Sequence, residues 1–365
     1  MNLFRKKSIE ELIRTSQQGT TLKKVLGAWD LTLLGIGCII GTGIFVLTGK
    51  GAVTAGPGLV LSFIISGLAC MFAALAYAEF ASIVPVSGSV YTYSYATMGE
   101  LIAWIIGWDL ILEYALALAA VSVGWSGYFQ SLLKGVTGLT LPTEWTAAPG
   151  AVPGVTTYFN LPAFLIVILI AFLLSRGVKE STRVNNIMVV VKTAIVLLFI
   201  FVGVGYVKPE NWQPFLPYGM SGVFQAAGLV FFAYIGFDAV ASAAEEARNP
   251  ARDLPRGILW SLGICTVLYV IVSGIMTGIV PFRQFEGVDH PISLALQLAG
   301  QNWVAGFIDL GAILGITTVL LVLSFGQSRI AFAMSRDGLL PKLFSTVHPK
   351  HQTPYVSIWI TGLIC

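Results

Sequence analysis

Apolar positions along this chain come in long unbroken blocks, and charged residues are confined mostly to the stretches between them. The first uncharged run extends from Leu31 to Gly49, long enough at about 1.5 Å per residue to cross a hydrocarbon core of roughly 30 Å. Further blocks fall at 58–83, 97–131, 160–176, 185–207, 221–245, 256–280 and 302–333, and a ninth begins near Pro354. Helices of a soluble core would carry polar faces; these blocks are apolar all round, so the pattern predicts an all-α polytopic membrane protein. Between spans, the segment from Lys134 to Phe159 is rich in Gly, Pro and Thr and reads as a long ordered loop. Residues 290–300 read as a short amphipathic helix over the outer face.

The first block is poor material for a continuous helix. Gly35, Gly37, Gly41 and Gly43 fall inside it, and each interior glycine costs about 0.5–1 kcal/mol relative to alanine. Backbone that leaves the helix at bilayer depth is tolerated where protein, a water-filled cavity or a ligand satisfies its polar groups, so a broken, substrate-binding helix is one reading. The other is close packing of two intact helices on the Gly37 and Gly41 pair. A second block, Gly222–Val240, carries Phe-Phe-Ala-Tyr-Ile-Gly-Phe-Asp at its middle. It lies five spans after the first, and an odd offset inverts its direction, as in transporters built from inverted repeats.

Composition agrees with the pattern: 56% hydrophobic and 11% charged residues, with a mean hydropathy of +0.82. The net charge of +3 needs no nucleic-acid partner, and its distribution sets an orientation. The tail and the loops holding Arg176 to Arg183, Arg248 to Arg256 and Arg336 to Lys350 share one side; the other receives only Lys50, Lys134, Lys208 and Arg283. The positive-inside rule places the amino terminus in the cytoplasm. Residues 1–28 then form a basic tail along the membrane surface, without a cleavable signal. Residues 29–207 hold spans one to five, and 208–365 hold six to eight and the start of nine. The run after Pro354 is too short to cross, so the chain reads as C-terminally truncated. Cys38, Cys70, Cys265 and Cys365 all fall in apolar blocks and His290, His348 and His351 outside them, a pattern that indicates no disulfide framework, metal or cofactor.

Ionisable groups inside spans are expensive, about 2.5–3.5 kcal/mol each at a helix centre, and so are candidate functional groups. Lys192 is seven residues past Asn185, about 10 Å into the fifth span. Asp109 and Glu113 are one turn apart on one face of the third span. Asp238, just after Gly236 in the sixth-span block, either pairs with a cationic substrate or caps and gates the inner half-helix. Glu79 and Asp309 fall near span ends. Glu245, Glu246, Arg248, Arg252, Asp253 and Arg256 read as a cytoplasmic salt-bridge cluster, and Tyr91, Tyr93 and Tyr95 as packing residues.

Three motifs in order carry a resemblance: Gly-Thr-Gly-Ile-Phe in the first span, Glu-Glu-Ala-Arg-Asn-Pro-Ala-Arg-Asp-Leu-Pro-Arg-Gly-Ile at 245–258, and Phe-Gly-Gln-Ser-Arg-Ile with Met-Ser-Arg-Asp-Gly-Leu-Leu-Pro at 325–341. The chain resembles the amino acid–polyamine–organocation superfamily, most closely its bacterial cationic amino acid transporter branch. The resemblance implies a five-plus-five inverted-repeat fold with broken first and sixth helices, the second repeat being incomplete here, in a multi-pass protein of the bacterial inner membrane. It implies a secondary amino acid transporter whose partners are amino acid, proton and membrane lipid. On that reading, amides at Gly41, Thr42 and Gly43 receive the substrate carboxylate. Carbonyls of Ile39, Ile40, Phe231, Phe232 and Ala233 receive its ammonium, and Phe231, Phe232 and Ile235 set side-chain selectivity. A fifth-span lysine takes the place of sodium in proton-coupled relatives, which makes Lys192 and Glu113 the coupling pair. Small neutral amino acids are the expected cargo, with arginine and lysine the alternative. A channel would need a continuous polar path, and an intramembrane enzyme a nucleophile and base that the spans lack.

Overall fold

The computed structural model describes residues 5–16, 22–150, 155–288 and 290–365. Parts of the expected tail (1–4 and 17–21) and of the expected loop (151–154) lie outside the described residues. The apolar blocks are mainly helical, and among the described residues six segments are long and apolar enough to cross a membrane, making it a multi-pass membrane protein.

The tail contributes a short amphipathic helix, α1 (Ile9–Ser16), which the reading of a polar tail did not anticipate. The first span is broken: α2 (Ala28–Ile39) stops, Ile40 turns to extended backbone, and a π-helical turn over Gly43–Leu47 leads into α3 (Thr48–Ala55). A Gly56–Gly58 turn returns the chain through α4 (Leu59–Ile83). Next come α5 (Val90–Thr97) and the long α6 (Glu100–Thr137). The three tyrosines of α5 are buried as packing residues. Asn160 caps α7 (Leu161–Arg176) by accepting from the Ala163 N–H at 3.2 Å, and Gly177 turns the chain into α8 (Val178–Gly203). The sixth span is broken as well: α9 (Gly219–Phe231) runs into a 3-10 turn at Phe232–Tyr234 and resumes as the one-turn α10 (Ala239–Ser242). Between them Gly236 has φ +106°, and a Cβ there would collide with the Cys38 side chain, so the two breaks touch.

The second half continues with α11 (Pro250–Ile279), α12 (Pro291–Leu298), α13 (Asn302–Arg336) and α14 (Tyr355–Ile364). The short helix expected near 290–300 is α12. Pro255 lies inside α11 at its sixth position, where it forfeits one hydrogen bond to the preceding turn. The most enclosed element is α13, packed against α2, α6 and α8, while α11 packs against α2 and α4.

On the face that carries the tail, the expected salt-bridge cluster divides. Glu245 and Glu246 do not pair with Arg248, Arg252 or Arg256. They reach across to α13, Glu246 to Arg329 at 2.7 Å with both side chains fully buried, and Glu245 to Arg336 at 2.7 and 2.9 Å. Asp253 turns inward to accept from the Asn249 N–H at 3.3 Å. The physical reason is burial: a carboxylate taken out of water needs a close partner, and the α13 guanidiniums are the buried cations in reach. Burial pushes the Glu246 carboxyl up from its ordinary value, and the Arg329 charge opposes that push. The chain ahead of α2 is stitched to the same place: the Val25 and Leu26 N–H groups donate to the Glu246 carbonyl at 2.9 and 3.0 Å, and the Arg248 N–H donates to the Leu26 carbonyl at 2.8 Å.

Candidate functional site

The two breaks meet at one cavity of about 150 Å³, lined by Cys38, Ile39, Thr42 and Gly43 from the first span and by Phe232, Ala233 and Ile235 from the sixth. Leu47, Ala117 and Val121 of α6, and Val319 and Leu323 of α13, complete the wall. Gly43 is a second point where the breaks are in close contact: a Cβ there would lie 2.5 Å from that of Ala233 and 3.1 Å from the Tyr269 hydroxyl. The outer half of the first span begins at this wall. Its first turn therefore presents the N–H groups that a helix leaves unpaired at its N-terminus, together with the positive dipole end.

Six of the expected binding residues line the cavity and three do not. Ile40 is fully buried with its carbonyl turned to Lys192, Gly41 backs onto Val319, and Phe231 is 45% exposed on the outside of α9. The short break at Ile40 and Gly41 turns successive carbonyls in different directions, which is why neighbours in sequence part company here.

Lys192 is fully buried and donates from Nζ to the Gly37 carbonyl at 2.9 Å, the Ile40 carbonyl at 2.6 Å and the Thr318 hydroxyl at 2.6 Å. An ammonium has three N–H groups, so its donors are all used. Since α8 begins at Val178, the lysine lies about 21 Å along the helix. Thr318 of α13 also contacts the Gly37 carbonyl at 2.8 Å, so two helices hold the unwound segment from one side. From the other, the Tyr269 hydroxyl of α11 lies 2.6 Å from the Ile39 carbonyl and 3.0 Å from that of Ala233, bridging the two breaks. Two of the carbonyls expected to greet an ammonium group thus already have hydroxyl contacts, and each keeps one lone pair.

The remaining candidates are placed differently. Asp238 does not line the cavity; it accepts a hydrogen bond from the Tyr114 hydroxyl of α6 at the entry to the inner half-helix. Asp109 and Glu113 are both solvent-exposed, and Glu113 lies within electrostatic reach of Asp238. Glu113 nonetheless shares a helix face with Ala117 and Val121, one and two turns beyond it, so it stands one turn from the cavity wall. Among the described residues no ion pair joins Glu113 to Lys192. Sequence reasoning missed Thr318, Tyr269 and Tyr114, three hydroxyls with no charge to mark them.

Residues 26–365 match the family described as amino acid permease. The chain is similar to the branched-chain amino acid permease BcaP of Bacillus subtilis (strain 168), at 69% identity over 361 residues, covering 99% of this chain and 77% of that protein. It is similar to the methylthioribose transporter of the same organism, at 57% over 364 residues, covering 100% and 78%. The chloroplastic cationic amino acid transporter 9 of Arabidopsis thaliana is 41% identical over 337 residues, covering 92% and 59%.

Proposed function

Since this chain belongs to the amino acid permease family and is an amino acid transporter, we propose that it carries neutral aliphatic amino acids of branched-chain size, driven by protons. The observation that carries the cargo is the cavity lining: Ala117, Val121, Phe232, Ile235, Val319 and Leu323 face the space, and no acidic side chain is among the lining residues. An arginine or lysine side chain would lose its water there without gaining a counter-charge, a cost of several kcal/mol. A sugar such as methylthioribose would find only Thr42 and Cys38 as polar side chains. The name of the 69% identical relative points the same way and extends the expectation of small neutral cargo to leucine, isoleucine and valine.

The α-carboxylate would sit on the N–H groups of the turn after Gly41, and the α-ammonium on the free lone pairs of the Ile39 and Ala233 carbonyls. Coupling would run through Lys192. Its protonated form donates to three acceptors, whereas a neutral amine has two N–H groups and a lone pair, so loss of the proton forces at least one of the three contacts to be remade. Two of those acceptors are carbonyls of the unwound segment, which makes the segment's position dependent on protonation. Glu113, between the cavity and the basic face, would pass the proton. The breaks, five spans apart, support division into repeats at 29–207 and 208–365. The basic face would be cytoplasmic, in a bacterial inner membrane.

Uptake of labelled leucine, alanine, arginine and methylthioribose into proteoliposomes, with pH and sodium gradients imposed separately, tests this reading. Leucine uptake should be accelerated by an inward proton gradient and indifferent to sodium. Preference for arginine, or sodium dependence, would overturn it.

A further inference from the structure

Outside the transport site, the unexplained charges gather at one corner of the basic face. Lys23 and Lys24 ahead of α2, and Arg248 and Arg252 at the start of α11, are exposed, and Arg256 is half-buried. Among the described residues none of the five forms an ion pair, although the neighbouring Glu245 and Glu246 are close in sequence and spent on α13. The pairing of Leu26 with Ala247 brings the two basic runs together, with Lys24 and Arg248 just outside it.

The same corner has a defined depth. Trp29 of α2 and Trp260 of α11 touch at 5.4 Å between ring centroids and remain 66% and 43% exposed. Along α11, Arg252, Arg256 and Trp260 fall on successive turns of one face, followed by the exposed Ile264, Val267 and Ile271. That stripe grades from guanidinium to indole to aliphatic over about 22 Å of α11 from Arg252 to Val267, and continues to Ile271. Indoles favour the headgroup level of a bilayer, so the arginines stand where lipid phosphates lie. Free phosphate would meet the charges and have no use for the indole and aliphatic portion.

We propose that Lys23, Lys24, Arg248, Arg252 and Arg256, with the Trp29 and Trp260 pair, form a binding site for an anionic phospholipid of the inner leaflet, seated on the seam between the first and seventh spans. Its headgroup phosphate takes the guanidiniums, and its acyl chain follows Trp260, Ile264 and Val267. The seam includes the stitch that joins the tail to the end of the sixth span, so the lipid rests on the half-helices that must move.

The test is native mass spectrometry of the full chain with phosphatidylglycerol, phosphatidylcholine or inorganic phosphate added, read alongside leucine uptake. The unsubstituted protein should retain phosphatidylglycerol in preference to phosphatidylcholine, and phosphate should not compete it off. The pair Arg252→Gln and Arg256→Gln should weaken that retention about 30-fold. Lys23→Gln with Lys24→Gln gives the same reading if the first pair fails to fold. Equal retention of the two lipids, displacement by phosphate, or undiminished binding in a folded variant would overturn the site, whatever the uptake assay says of the cargo.

Discussion

Lys192 concentrates the residue-scale argument, because a single side chain satisfies two carbonyls of a helix that has no hydrogen bonds of its own at that point. Lys192→Ala should leave the Ile40 carbonyl buried and unpaired, at about 1–3 kcal/mol, with the Gly37 carbonyl held by the Thr318 hydroxyl alone. The expected result is a protein that still elutes as a folded species and transports at least tenfold more slowly, checked by size-exclusion chromatography beside uptake. Glu113→Gln should keep substrate binding, measured by ligand-induced thermal stabilisation, and lose acceleration by an inward proton gradient. A gradient response that survives in Glu113→Gln would remove that residue from the coupling route. Lys192 was legible in the sequence since a charge inside an apolar run stands out. Tyr269 and Thr318 were not, because hydroxyls are ordinary in spans and their partners are main-chain carbonyls with no signature of their own.

At the scale of elements, the two interrupted helices define the site, and Gly43 and Ala233 are one place where they are pressed together. Gly43→Val should separate them by forcing side-chain atoms into the Ala233 and Tyr269 contacts. Overpacking of this kind costs about 1–3 kcal/mol, so substrate affinity should fall at least tenfold, measured as Kd by equilibrium binding in detergent. The four glycines of the first span left a break and close helix packing both open, and both occur: Gly35 and Gly37 pack closely within α2 while Gly41 lies in the break. The sixth-span break was readable only from its position, since one glycine is weak evidence by itself. The pairing of Glu245 and Glu246 was misread: residues adjacent in sequence looked like partners, while the cations that burial requires lie on α13, more than 80 positions away. Removing one member of the fully buried pair, Arg329→Ala, should destabilise the fold by about 3–5 kcal/mol. Glu246→Met combined with Arg329→Met should cost far less; thermal denaturation of the two proteins side by side checks this.

For the whole molecule, the fold class, the span order and the basic side were all present in the pattern of apolar blocks, but the connection between the tail and the sixth span was not. It is made by main-chain groups, which any sequence supplies. If the first and sixth inner halves travel as one body, a disulfide between Leu26→Cys and Ala247→Cys should leave uptake within about twofold of the reduced protein, the native cysteines having been replaced. One that locks Ser87→Cys to Glu245→Cys, across the contact between the Ser87 N–H and the Glu245 carboxylate at 3.1 Å, should stop transport until reduced. Equal inhibition by both would show that the halves move separately. The stitch at Leu26 also works as a lever. Force applied to the chain just ahead of α2 is delivered to the Glu246 carbonyl, and a proline at residue 25 or 26, lacking the N–H, would cut the cable without altering a charge. A fluorophore fixed beside Lys24 would then double as a gauge, reporting each opening of the basic face from a site that touches neither cargo nor proton.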